Sequence, residues 1–260
     1  MRVTILGCGT SGGVPRPGGK GGKGEWGAAN PADPRNRRRR CSILVQSRER
    51  TILVDTSPDL RDQLLAAEVE RVDAVIWTHE HADQVHGIDD LRPYALRQGP
   101  IEAWADRRTF DILRRRFGYC FEAAGGGFYN PIYRHRPIEG PFLAASSIPV
   151  LPFAQDHGTT TSLGFRFGRI AYANDVVALS AEAFEVMKGV EVLIVDAMRF
   201  RPHPTHAHLD LALEWVERVG PQRAFLTNLH VDMDYAELDR LTPAHVSPCH
   251  DGMTIVTDGD

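Results

Sequence analysis

Short apolar runs rich in β-branched residues recur along this chain at 3–6, 42–45, 51–54, 74–78, 148–153, 163–167, 170–173, 192–195 and 224–227. Runs of that length, bounded by Gly, Pro and polar residues, read as strands rather than helices. Between them lie stretches of helical pattern. Ser57-Pro58 supplies a cap and a first-turn proline for one, and 107–117, 180–187 and 209–219 are others. The first half sets strands before a helix, and the second half loosely repeats that order from residue 148. Strands that bury one face each, with helices left to cover the outer faces, predict an α/β fold built as a layered αββα sandwich. Residues 16–40 and 118–131, rich in Gly, Pro and Asn, read as long loops.

At 260 residues, 42% of them hydrophobic, the chain can bury one large core without disulfides, so a single domain over 1–260 is expected. No apolar run approaches the roughly 20 residues that span a bilayer, and the N-terminus lacks the pattern of a signal peptide, so a cytoplasmic protein is expected. Cys8, Cys41, Cys120 and Cys249 are scattered, which suits reduced thiols. A net charge of -4 argues against general nucleic-acid binding, and the basic run Arg37-Arg38-Arg39-Arg40 reads as solvated loop.

The run at 74–78 ends in Thr78-His79-Glu80-His81-Ala82-Asp83. In extended chain alternate residues face one side, so His79 and His81 can converge on one ion while Glu80 points away. Asp83 opens the next helix and can offer a carboxylate to a neighbouring ion. Downstream, His157 follows a strand and Asp175 ends another. Taken alone, His157 is as consistent with a satisfied polar side chain as with a ligand.

The segments MRVTILGCGTSGGVP, LVDTSPDLR, THEHADQVHG, QDHGTTTSLGFRF, AYANDV, IVDAMRFRPHPTHAHLDL, FLTNLHVDMDY and HDGMTI resemble the metallo-β-lactamase superfamily over nearly the whole chain. Within it they are most similar to the PhnP-type cyclic-phosphate phosphodiesterases. The resemblance implies a centre of one or two divalent ions, Zn or Mn, with no other cofactor. His79, His81 and His157 would hold the first ion, Asp83 the second, and Asp175 would bridge both. Asp55 corresponds to the aspartate beneath the motif loop, and His208 to the branch's proposed acid and base.

The chain departs from that pattern at two points. Gln84 stands where the motif has a histidine, with His86 two residues on, and Asn228 replaces a second histidine, with His230 two residues on. A site of Asp83, Asp175 and amide oxygens would be hard and favour Mn or Mg over Zn. His86 and His230 could instead restore nitrogen ligation, or contact substrate. PhnP-type relatives carry cysteines for a structural zinc in the region of residues 17–40, where this chain has none, so no structural zinc is expected.

Gly7-Cys8-Gly9-Thr10-Ser11-Gly12 matches a dinucleotide fingerprint, but it runs into Gly13-Val14-Pro15 rather than a helix, so a tight turn is the better reading. The activity that the resemblance implies is hydrolysis of a phosphodiester, such as a cyclic nucleotide or ribosyl cyclic phosphate, by a metal-activated hydroxide that Asp83 or Asp175 orients. His208 is the candidate acid for the leaving group and His206 its rival, since an imidazole titrates near neutrality. The alternatives are a lactone or thioester hydrolase and a catalytically silent metal-binding protein. The expected partner is a small phosphate-containing substrate, with homodimerisation possible in principle and neither membrane nor stable nucleic-acid complex.

Overall fold

A computed structural model describes residues 1–47, 50–123 and 130–257 of the chain. β1 (Arg2–Gly7), β2 (Ser42–Ser47) and β3 (Arg50–Val54) form an antiparallel meander. After α1 (Leu60–Ala66) the chain adds β4 (Ala74–Ile76) parallel to β3. α2 (Ala82–Val85) and α3 (Arg92–Gln98) lead to β5 (Ile101–Ala105), and α4 (Arg107–Phe117) to β6 (Tyr133–Pro137). The second half contributes β7 (Phe142–Ala144), β8 (Ile148–His157), β9 (Thr160–Phe167), β10 (Ile170–Ala173) and β11 (Ala178–Leu179). It continues with α5 (Ala181–Met187), β12 (Val192–Asp196), α6 (Leu209–Val219), β13 (Arg223–Thr227), α7 (Tyr235–Leu241) and β14 (Val246–Pro248). The last strand, β15 (Thr254–Val256), returns to the first sheet beside β1.

The first sheet runs β15-β1-β2-β3-β4-β5-β6, and the second β11-β8-β9-β10-β12-β13-β14 with β7 on β8. Side-chain alternation sorts their residues into layers. Ile43, Val45, Ile52, Val54 and Ile76 of the first sheet meet Phe165, Phe167, Tyr172, Val192 and Ile194 of the second in a shared core. The alternate residues Leu44, Leu53 and Val75 pack under α1 and α4 through Leu60, Leu64 and Leu113. On the far side, Leu193, Val195 and Leu226 pack under α5, α6 and α7 through Phe184, Trp215 and Leu238. The αββα sandwich follows directly from that division. No helix among the described residues is long and apolar enough to cross a membrane.

Several expectations shift in detail. β4 stops at Ile76 because the Thr78 N–H donates to the Asp55 carboxylate at 2.8 Å. α1 begins at Leu60 with Asp59 in the cap position, two residues after the expected start; ahead of it the Ser57 hydroxyl donates to Gln63 at 2.8 Å and accepts from the Asp59 N–H at 3.2 Å. Residues 16–40 are mostly loop with 3₁₀ turns at Lys20–Gly22 and Pro34–Asn36. Of the loop expected at 118–131, Gly118–Cys120 is a 3₁₀ turn, and residues 124–129 lie outside the described residues.

The arginine run is not a solvated face. Arg38 is buried and donates to the carbonyls of His230 and Met233, while Arg39 pairs with Asp251 and Arg40 with Asp59. Arg35 pairs with Asp33, and Arg37 lies over Trp26. Backbone bonds from Gly9 to Arg39 and between Val14 and Arg38 hold the segment against the end of β1 and the loop after it, where a Cβ on Gly7 would meet the Arg40 carbonyl oxygen at 2.1 Å and one on Gly9 the Arg38 Cβ at 2.9 Å. The glycines there serve close backbone approach between two loops.

The topology also decides where a site can form. β3 and β4 are parallel, as are β10, β12 and β13, and β8 runs the same way as β10 across the antiparallel β9. Their C-terminal ends therefore gather along one edge of the sandwich, the place where such sheets collect functional groups.

Candidate metal centre

Each convergent side chain leaves the C-terminal end of one of those strands. His79 and His81 follow β4, His157 ends β8, Asp175 follows β10, Asp196 ends β12 and Asn228 follows β13. Asp55, Asp175 and Asn228 adopt left-handed backbone at φ 63°, 54° and 61°. Asp and Asn tolerate that region better than most side chains, and here it turns the chain sharply out of a strand so that the side chain faces the edge.

His79, His81 and His157 bring ring nitrogens within 4.8 Å of one another. Hydrogen bonds fix two of the rings. The Thr78 hydroxyl donates to Asp55, so His79 Nδ1–H, 3.0 Å away, donates to the Thr78 oxygen and leaves Nε2 as the lone-pair nitrogen. That Nε2 is buried without a hydrogen-bond partner. His157 Nδ1–H donates to the Thr205 carbonyl at 2.7 Å, which turns its Nε2 toward His81 Nδ1 at 3.3 Å. Burial, followed by the neighbouring imidazoles, lowers His79 well below the ordinary histidine value. Burial likewise lowers His157. Both are then neutral near pH 7, as a ligand must be. Three converging imidazoles, one of them with an orphaned buried nitrogen, fit a divalent ion such as zinc.

Glu80 points away, as the alternation requires, and pairs with Arg108 of α4 at 2.9 Å. Gly158 follows His157 with φ 74°, and a Cβ there would meet the Thr205 side chain at 2.5 Å. The residue thus lets the 203–206 loop close over His157.

That loop brings in a second group. His206 comes within 4.8 Å of His157 and Asp175 through its ligand atoms, and its Nδ1–H donates to Asp196 at 2.8 Å. Burial opposes a charged His206, but the hydrogen bond and charge of Asp196, then the charges of Asp175 and Asp83, push it up to about 9. Burial raises Asp175, and Asp83 is near enough to add to that rise. Asp175 accepts from Asn174 at 2.7 Å and from Asn228 at 3.3 Å.

The sequence candidates separate accordingly. His79, His81, His157 and Asp175 converge, Asp83 sits beside them, and Asp55 buttresses the motif loop through Thr78. Gln84 and Asn228 reach the carboxylates Asp83 and Asp175 through amide N–H groups. His86 lies against Phe117, and His230 pairs with Asp232 and Arg16, so neither restores the missing imidazoles. His208 occupies the cap of α6 with no side-chain bond to the helix and is in neither convergent group, whereas His206 is. Asp196 was missed by sequence reasoning, although an acidic residue ending an apolar strand is the same signal that marks Asp175.

The beta-lactamase superfamily domain model matches residues 50–228. A diphosphatase from the PhnP family has 29% identity and a TM-score of 0.88, covering 99% of this chain and 98% of that one. Zinc-bound PqqB from Methylobacterium extorquens shares the fold at 18% identity and TM-score 0.73, covering 99% and 100%. An octanoyltransferase of Porphyromonas gingivalis is 31% identical over 99% of this chain but 52% of its own length, so the chain spans about half of that relative. With the αββα layers, the histidines at the strand ends and a family match over most of its length, the chain belongs to the metallo-β-lactamase superfamily.

Proposed function

We propose that this protein is a metal-dependent phosphodiesterase acting on a small phosphate-containing substrate. The observation that carries the reading is the convergence of His79, His81 and His157 beside the Asp175–His206–Asp196 group. His79, His81 and His157 would hold a divalent ion, which when bound would supply Lewis acidity toward water and phosphoryl oxygens. Asp83 or Asp175 would orient the attacking water and accept its one proton. His206 protonates the departing alkoxide, held in orientation by Asp196, which is fully buried. This assigns to His206 the role that family resemblance suggested for His208. Among relatives, the PhnP-family diphosphatase supports a phosphorus electrophile.

The octanoyltransferase relative favours a second reading, hydrolysis of a thioester or other acyl substrate, because the same nucleophile attacks a carbonyl. Metal-loaded protein assayed against cyclic nucleotides, bis-p-nitrophenyl phosphate, acyl thioesters and lactones separates the two. Turnover of the phosphodiesters supports the first reading, and turnover confined to the acyl esters overturns it.

A further inference from the structure

The side of the site that lies beyond the three imidazoles does not fit a second ion. Both oxygens of Asp175 already receive amide N–H groups, from Asn174 at 2.7 Å and Asn228 at 3.3 Å. The same Asn228 nitrogen reaches Asp196 at 3.3 Å, and the Gln84 nitrogen reaches Asp83 at 3.2 Å. An amide can present either end, but reversing Asn228 would set its oxygen against two carboxylates, so the N–H end is fixed there. His206 is the imidazole that reaches this side; its Nδ1 is committed to Asp196, and its other nitrogen is the one the proposed acid role uses. His157, which also approaches Asp175, gives Nδ1–H to Thr205 and turns Nε2 toward His81. A cation here would have to displace N–H donors from the carboxylates and take the one His206 nitrogen that the proposed acid role uses, with no further unshared histidine among the described residues. His86 and His230, the residues that could have repaired the loss, are turned elsewhere.

We propose that the protein holds one divalent ion per chain, and that the amide N–H groups of Gln84, Asn174 and Asn228 do at Asp83 and Asp175 what a second cation would do. This rests on the assignment of His79, His81 and His157 to the first ion. An N–H group carries only a partial positive charge, so the carboxylates are held in place without being bound as ligands. The amides are also part of the chain, so that side of the site is assembled whether or not metal is abundant.

The test is a metal count. Full-length protein is stripped with chelator, reloaded with excess Zn²⁺ or Mn²⁺, desalted and analysed by mass spectrometry of the metal, with Co²⁺ absorption titrated in parallel. We expect one ion per chain and Co²⁺ absorption that saturates at one equivalent. The double variant Gln84→His/Asn228→His, checked for folding by circular dichroism, is expected to retain two zinc ions. Two ions retained by the wild type overturn the proposal, as does a folded double variant that still retains one. No ion retained by the wild type overturns the first-site assignment itself, an outcome distinct from both. The wild-type count decides the matter even where the double variant does not fold.

Discussion

His206 Nδ1 stands 2.8 Å from Asp196 Oδ2, and that carboxylate is fully buried at the end of β12 while the imidazole faces His157 and Asp175. A buried acid that binds one ring nitrogen fixes which way the other points. The pair is therefore built to hold a proton donor in one orientation next to the three-imidazole site.

Replacing His206 by Ala should lower kcat on a cyclic nucleotide by on the order of 10²–10⁴, the usual loss for a general acid. The loss should be smaller on a p-nitrophenyl phosphodiester, whose leaving group needs no proton. His208→Ala should change neither by comparable amounts. Equal losses on both substrates, or loss of bound metal, would remove His206 from the acid role.

Asp196→Asn tests the orientation and the charge together. A general acid works in its protonated form, so its contribution fades as pH rises through its pKa. Asp196 supplies the first of the influences that push His206 up to about 9, against the opposing effect of burial. Its removal should move the alkaline limb of the kcat profile to lower pH. A profile that keeps its alkaline limb would show that another group titrates there.

Thr78→Val removes the hydroxyl that links Asp55 to His79 Nδ1. Groups that orient a metal-bound histidine typically contribute about 10–100-fold in affinity, so zinc should bind more weakly by that order. Competition with a chromophoric chelator measures it, and Thr78→Ser should recover most of the loss.

Gly158→Ala places a methyl group against Thr205 at a left-handed position. We expect destabilisation of more than about 1 kcal/mol in denaturant unfolding, together with reduced kcat as the 203–206 loop is displaced. An unaffected midpoint and rate would mean that the loop has room to move aside.

The layers were legible in the sequence because period-two patterning and short apolar runs leave few other arrangements. α4 and α6 were read to the residue as stretches of helical pattern between the apolar runs. β5 and β6 were not, since Glu102 interrupts the apolar run in Ile101–Ala105 and Arg134, His135 and Arg136 fill the middle of Tyr133–Pro137. His79, His81, His157 and Asp175 could be read because strand-end position and motif agree. That His206 rather than His208 joins Asp175 and Asp196 could not be read, because the loop after β12 folds back on Gly158, a contact that no local pattern encodes. The buried arginine Arg38 was misread for a similar reason: its partners are backbone carbonyls nearly two hundred residues away in sequence.

The central claim is that His79, His81 and His157 hold a catalytic ion. It is tested most directly by measuring bound metal and bis-p-nitrophenyl phosphate hydrolysis on the same preparations of wild type and His81→Ala. We expect the wild type to carry tightly bound metal and turn the substrate over, and His81→Ala to lose most of both while remaining folded. Full metal content and activity in His81→Ala would contradict the claim.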